Sequence, residues 1–185
     1  MRLFVAVKLS AQFQQVVTGF IERIAQNSSG VKWVNSRQAH FTLFFLGEQP
    51  SSVITRLSPQ LKKVAANNHA FTITIGKSGV FPSWKAPRVL WLGLEEGEKP
   101  MIRLANQVAE ACRKEAGNLK SGKRSFIPHL TLGRVKTSLP VIDFDLFKSG
   151  VTGKMSVKEF ALIESNLTSQ GPIYHELEKF KFKEK

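Results

Sequence analysis

The spacing of apolar residues changes period repeatedly along the chain and so marks its elements. Residues 2–7 are apolar and β-prone, and Phe13, Val16, Val17, Phe20, Ile21 and Ile24 then recur at three- and four-residue intervals, the repeat of one helical face. Ser10 stands where an N-cap would, just before that run. Gly30 and Asn35 bracket a short extended Val31-Lys32-Trp33-Val34, and residues 40–46 form a dense β-type run ended by Gly47. After Pro50, a second helical stripe runs through Val53, Ile54, Leu57, Leu61 and Val64. Residues 70–75 alternate like a strand, a loop punctuated by Pro and Gly follows, and residues 88–94 predict another strand. Met101, Leu104, Ala105, Val108 and Cys112 mark a third helix over 99–116, with Pro100 suited to its first turn. Strands at 129–135, 154–164 and 172–183, with a loop or short helix through 140–150, complete the pattern.

Roughly eight strands and three helices, not strictly alternating, predict an α+β protein. No Ser-, Pro- or Gly-rich linker divides the chain, and no low-complexity tract or short-period repeat is present. One internal echo stands out: His40-Phe41-Thr42-Leu43 and His129-Leu130-Thr131-Leu132 share a pattern, and each opens a β-type run after a helix and a loop. Two related lobes would leave such an echo. In the tail, Glu178-Lys179-Phe180-Lys181-Phe182-Lys183 alternates charge with aromatic, as a strand with one packed face does. Ile173, Leu177 and Phe180 do not keep period two, which predicts a bulge near residue 178, and the lysines suit the guarding of a sheet edge.

The echo also carries chemistry. Residues two apart on a strand share a face, so each motif presents an imidazole beside a hydroxyl while Phe41 and Leu43, or Leu130 and Leu132, face the core. If the two strands lie side by side about a pseudo-two-fold, two histidines and two threonines converge on one concave site. Imidazole can be protonated in one copy and neutral in the other near pH 7. Such a quartet could hydrolyse a cyclic phosphodiester without a metal. One neutral His would take a proton from attacking water, one protonated His would give a proton to the departing ribose oxygen, and the hydroxyls would hold the non-bridging oxygens.

Charge narrows the substrate. Among 185 residues, 27 Lys+Arg oppose 14 Asp+Glu, a formal net charge of +13 that attracts polyanions, nucleic acid foremost. With 42% apolar residues the chain is long enough to fold as one domain, or two small lobes sharing a core, and wholesale disorder is excluded. No run has the ~18 apolar residues of a membrane span, and the early charges make the first residues unlike a signal peptide. The expectation is a cytoplasmic protein with no membrane partner. The single Cys112 has no internal disulfide partner.

Val31-Lys32-Trp33-Val34, His40-Phe41-Thr42-Leu43-Phe44-Phe45-Leu46-Gly47, Pro128-His129-Leu130-Thr131-Leu132-Gly133-Arg134 and Leu162-Ile163-Glu164-Ser165 with Gly171-Pro172-Ile173-Tyr174 resemble the two-histidine (2H) phosphoesterase superfamily. Within it they are most similar to the RNA 2′,3′-cyclic phosphodiesterases, also called 2′–5′ RNA ligases, and the similarity runs from Arg2 to about Phe182. The resemblance implies one domain over residues 1–185 built of two intertwined lobes, a bilobal pseudo-two-fold α+β fold whose two antiparallel sheets line a central cleft with helices outside. It implies opening of RNA 2′,3′-cyclic phosphate ends, tRNA fragments among them, to 2′-phosphates with no metal or cofactor, and the reverse 2′–5′ ligation without ATP. It makes His40 the proton donor and His129 the acceptor, with Thr42 and Thr131 beside them; the near-equivalent motifs alone do not tell the two roles apart.

Arg134 would neutralise phosphate through its planar fork, yet counted from His129 it falls on the opposite strand face unless the strand bends. Lys123 and Arg124, in the Lys120-Ser121-Gly122-Lys123-Arg124 loop, are candidates for gripping the RNA backbone. Phe126, Trp33 and Tyr174 are candidates for stacking a base, against core packing as the alternative. The two aspartates, Asp143 and Asp145, have no nearby His, which weighs against a metal-dependent phosphodiesterase, and Phe71 stands where a P-loop ending in Gly76-Lys77-Ser78 needs Gly. Cys112 lies on an apolar stripe as a buried thiol, and His69 and His175 read as structural. Two other readings compete: a non-catalytic module that holds RNA ends, and a phosphodiesterase for a small cyclic nucleotide-type substrate. A monomer is expected, since no apolar heptad repeats.

Overall fold

The computed structural model describes residues 1–116, 126–138, 140–169 and 171–184. The chain runs β1 (Arg2–Lys8), α1 (Ala11–Gln26), β2 (Val31–Trp33), a 3₁₀ turn (Ser36–Gln38), β3 (His40–Glu48), α2 (Ser52–Ala66), β4 (Phe71–Ser83), β5 (Ala86–Glu96) and α3 (Glu98–Ala116), then β6 (Leu130–Val135), α4 (Phe144–Ser149), β7 (Gly153–Val157), β8 (Glu159–Thr168) and β9 (Gly171–Lys181). The Ser10 Oγ accepts a hydrogen bond from the Phe13 N–H at 3.3 Å and caps α1 as expected. Asp143 caps α4, its Oδ1 accepting from the Leu146 N–H at 2.9 Å, which makes 144–149 a helix rather than a loop.

Every pairing between these strands is antiparallel, in the order β7-β4-β5-β6-β3-β1-β8-β9, with β2 added alongside β6. The expected two sheets are therefore two four-stranded halves, β9-β8-β1-β3 and β6-β5-β4-β7. They touch through a single residue pair, Phe41 with Leu130, where β3 meets β6. One face of this sheet is covered by helices and carries the large apolar core, with Leu3, Val5, Phe41, Leu43, Leu90, Leu92, Leu130 and Leu132 all buried. The opposite face carries only a small cluster, Phe4, Ala6, Ala161 and Ile163 with Tyr174 against it. That face is the concave one.

The helices lace the halves together. α1 leaves β1 of the first half and packs against β7 of the second, while α3 leaves β5 of the second half and packs on β3 and α2 of the first. No described helix is long and apolar enough to cross a membrane. Cys112 is buried on α3, where desolvation pushes its thiol up to about 12, so it stays protonated.

Two expectations are corrected. The Gly- and Pro-punctuated loop before residue 88 is the body of a long β4–β5 hairpin. Gly76 and Gly79 sit beneath the side chains of Glu95 and Trp91, where a Cβ would collide, so these glycines mark close cross-strand approach rather than a turn. The strand predicted over 154–164 is two strands, β7 against β4 and β8 against β1, divided at Lys158 where the chain crosses from one half to the other. The bulge near residue 178 is present: Leu162 faces Glu178 and Ile163 faces Glu176, leaving Leu177 as the extra residue. β9 is the sheet edge, and its Lys179 pairs with Glu159 and Glu176.

Candidate active site

The pairing of Phe41 with Leu130 fixes the centre of the site. In an antiparallel register, the neighbours on either side of that pair set His40 against Thr131 and Thr42 against His129. Phe41 and Leu130 are wholly buried, so the four flanking side chains share the other face, the floor of the cleft. The pseudo-two-fold passes through the buried pair.

Both histidines are held identically. His40 Nδ1 lies 2.8 Å from the Gln38 carbonyl, and His129 Nδ1 lies 2.8 Å from the Ile127 carbonyl. In each ring the Nδ1–H donates to that carbonyl oxygen, which leaves Nε2 as the nitrogen free to exchange a proton. Each imidazole also stands against two aromatic rings. Phe4 lies 4.8 Å from His40 and Tyr174 meets it edge-on at 5.4 Å; Phe81 meets His129 edge-on at 5.1 Å, with Trp91 at 6.3 Å. This apolar packing desolvates the rings and lowers both pKa values, although each carbonyl bond works the other way. Two charges add to the lowering, that of His129 on His40 and that of Arg134 on His129.

Arg134 reaches the cleft because the strand bends. Across the β5–β6 ladder Leu90 faces Gly133 but Trp91 faces Thr131, so Leu132 is an extra residue that reverses the alternation beyond it. The first half has the same irregularity: Val5 faces Phe44 and Ala6 faces Thr42, leaving Leu43 unpaired. The equivalent bulges bring the fifth residue after each histidine onto the cleft face, Phe45 in one half and Arg134 in the other. Phe45 is 63% exposed, unusual for so large an apolar ring.

The cleft encloses about 830 Å³. His40, Thr42, His129, Thr131, Arg134 and Tyr174 all line it, as does Trp33. Burial raises the Tyr174 phenol pKa, while Arg134 and Arg2 both act to lower it. Phe126 is placed otherwise: it packs against the main core and is not among the described residues of the cleft lining. Lys123 and Arg124 lie outside the described residues. Among the described residues, no group of three or more His, Cys, Asp or Glu could hold a metal ion, and Asp143 is engaged as a helix cap.

Against this geometry, a model described as the 2′-5′ RNA ligase superfamily matches residues 12–167. The chain belongs to that superfamily. An RNA 2′,3′-cyclic phosphodiesterase of Archaeoglobus fulgidus is 38% identical over 183 residues, 97% of this chain and 99% of the relative. One from Aquifex aeolicus is 34% identical over 97% of this chain and 96% of its own length. A crystal structure from Thermus thermophilus superposes with a TM-score of 0.82 at 29% identity, covering 98% of each chain. The fold alone is shared with E. coli LigT complexed with 3′-AMP, at a TM-score of 0.81 and 24% identity, covering 99% of this chain and 98% of LigT.

Several aromatic residues around the histidines of this superfamily member escape a reading of the sequence. Phe4, Phe81 and Trp91 lie on other strands, and their approach to the histidines depends on sheet order. Phe45 had a usable signal: it stands at the same offset from His40 as Arg134 from His129.

Proposed function

We propose that this protein hydrolyses RNA 2′,3′-cyclic phosphate ends to 2′-phosphates with His40 as general acid and His129 as general base. The observation that carries this is the facing pair of His–Thr units, each imidazole anchored at Nδ1 with Nε2 left free. The superfamily and the names of its relatives supply the substrate class.

Water attacks phosphorus as its proton passes to His129 Nε2. The P–O3′ bond breaks, and O3′ takes the proton carried by His40 Nε2, so the product is a 2′-phosphate and the proton pair is exchanged. Thr42 and Thr131 hydroxyls donate to the non-bridging oxygens, where charge builds in the transition state. Burial lowers the pKa of both imidazoles, and a nearby charge adds to the lowering at His129 in a way that suits it to the neutral role. The Arg134 guanidinium disfavours a proton on His129, and with His129 neutral the repulsion it exerts on a protonated His40 disappears. In the ligation reaction a free 5′-hydroxyl takes the place of water: its oxygen attacks the cyclic phosphate as its proton passes to His129, the P–O3′ bond breaks, and O3′ takes the proton of His40, which leaves a 2′–5′ linkage. Phe45 supports the reading as a stacking surface for the terminal base on the His40 side, while Arg134 neutralises the terminal phosphate.

The test is a short RNA ending in a 2′,3′-cyclic phosphate, incubated in EDTA with wild type, His40→Ala and His129→Ala, with the product isomer identified. A 2′-phosphate from wild type alone is expected. Tight binding of that RNA without product would replace the enzyme with a reader of RNA ends.

A further inference from the structure

The cleft extends past the catalytic quartet along β6 and β2, and its charge there is one-sided. Lys32 faces Arg134 directly across the β2–β6 ladder, Lys136 follows two residues beyond Arg134, and Arg2 enters from β1. No Asp or Glu lines the cleft among the described residues, and none of these cations is in an ion pair or hydrogen bond there. Like charges directly opposite on adjacent strands repel and weaken the sheet. An uncompensated pair at such a position is what an anion-binding site costs when empty. The Lys32 ammonium lies 4.0 Å from where a Cβ on Gly171 would sit, so this exposed side chain leans across to the turn of the β8–β9 hairpin. Arg2 and Arg134 both act on the Tyr174 phenol, which draws the same cluster together from three strands.

Arg134 lies about 10 Å along the strand from Thr131, three residues at the rise of a β-strand. The scissile phosphate between the two histidines has Arg134 for its neutralisation. Lys32, level with Arg134 on the neighbouring strand, and Lys136, farther along, are therefore cations in excess of the one that phosphate engages, on the side away from Phe45, the stacking surface for the base.

We infer that Lys32, with Lys136 beside it, binds the phosphate on the 5′ side of the terminal nucleotide, so that the cleft reads two successive phosphates. This rests on the cyclic phosphodiesterase reading. It sharpens the substrate class to a 5′-phosphorylated or chain-linked end, and it makes a nucleoside 2′,3′-cyclic phosphate with a free 5′-hydroxyl a poor substrate that lacks one anchor.

The experiment compares adenosine 2′,3′-cyclic phosphate with the same compound carrying a 5′-phosphate, using wild type, Lys32→Ala and Lys32→Gln. Lys32 is exposed, so its replacement leaves the core untouched. Wild type is expected to favour the 5′-phosphorylated compound in kcat/KM by about 10-fold or more, the size of one charge-assisted hydrogen bond. Both variants are expected to erase that preference, with the loss in kcat/KM falling about 10-fold more heavily on the 5′-phosphorylated compound than on the 5′-hydroxyl one. A dinucleotide with a neutral methylphosphonate linkage should be insensitive to Lys32. Equal losses on both cyclic substrates, or a wild type indifferent to the 5′-phosphate, would overturn the second site and leave the hydrolase standing. A wild type that cleaves neither compound, nor the short RNA, would instead overturn the hydrolase reading itself.

Discussion

The half containing His40 and the half containing His129 are built alike where chemistry is shared and unlike where direction is needed. Each has the same 2.8 Å anchor from Nδ1 to the carbonyl two residues back, the same aromatic packing around the ring, and the same bulge after the motif threonine. Five residues past the histidine they part. One half presents an exposed phenylalanine and the other an arginine. The duplicated scaffold supplies two equivalently held imidazoles, and a symmetric pair cannot by itself decide which would give a proton and which would take one. In the proposed mechanism the direction comes from the phenylalanine and the arginine, the one as a surface for the base and the other as a cation beside His129.

The largest effect that would break this account falls on the histidines. His40→Ala and His129→Ala should each lower kcat at least ~10²-fold, with the fold retained, as circular dichroism checks. A substrate with a strongly acidic leaving group should rescue His40→Ala far more than His129→Ala, since such a group departs without a proton. Equal rescue would mean that the two halves are interchangeable after all.

Arg134→Gln should cost about 10-fold or more in kcat/KM through loss of a charge-assisted contact. It also carries a signed pH effect. The wild-type kcat/KM profile should be a bell with its acid limb below the ordinary imidazole range, because burial and then Arg134 lower the His129 pKa. Removing the guanidinium lifts the pKa of His129, so the acid limb should move to higher pH, which a profile measured at constant ionic strength reads directly. Phe45→Ala should raise KM by the ~1–3 kcal/mol of a lost stacking contact and leave both limbs in place. The smallest effect lies outside the cleft: Ser10→Ala should cost ~1 kcal/mol in urea unfolding by uncapping α1, with kinetics unchanged.

The convergence of His40, Thr42, His129 and Thr131 on one cleft was legible in the sequence because strand alternation is local, and an H-x-T pattern states its own face. The helices were legible for the same reason, through their apolar stripes and the Ser10 cap. Arg134 was ambiguous because its face depends on a bulge, and a bulge is set by which residue opposes which across a ladder. The long β4–β5 hairpin was hidden by Gly76 and Gly79, whose glycine punctuation answers to Glu95 and Trp91 rather than to a turn. Phe4, Phe81 and Trp91 reach the histidines from neighbouring strands, a fact of sheet order that no local pattern carries. Phe126 went the other way, since an aromatic close to a catalytic motif can as readily belong to the core.

The crossing helices have a consequence for synthesis on the ribosome. The first half needs β8 and β9 from the far end of the chain and α3 from the middle; the second needs β7 from late in the chain and α1 from its beginning. Neither half can close while the other is incomplete. On the ribosome, β1 and β3 lack their final neighbours until β8 and β6 have emerged, so cleft and core are finished together in a late, long-range event.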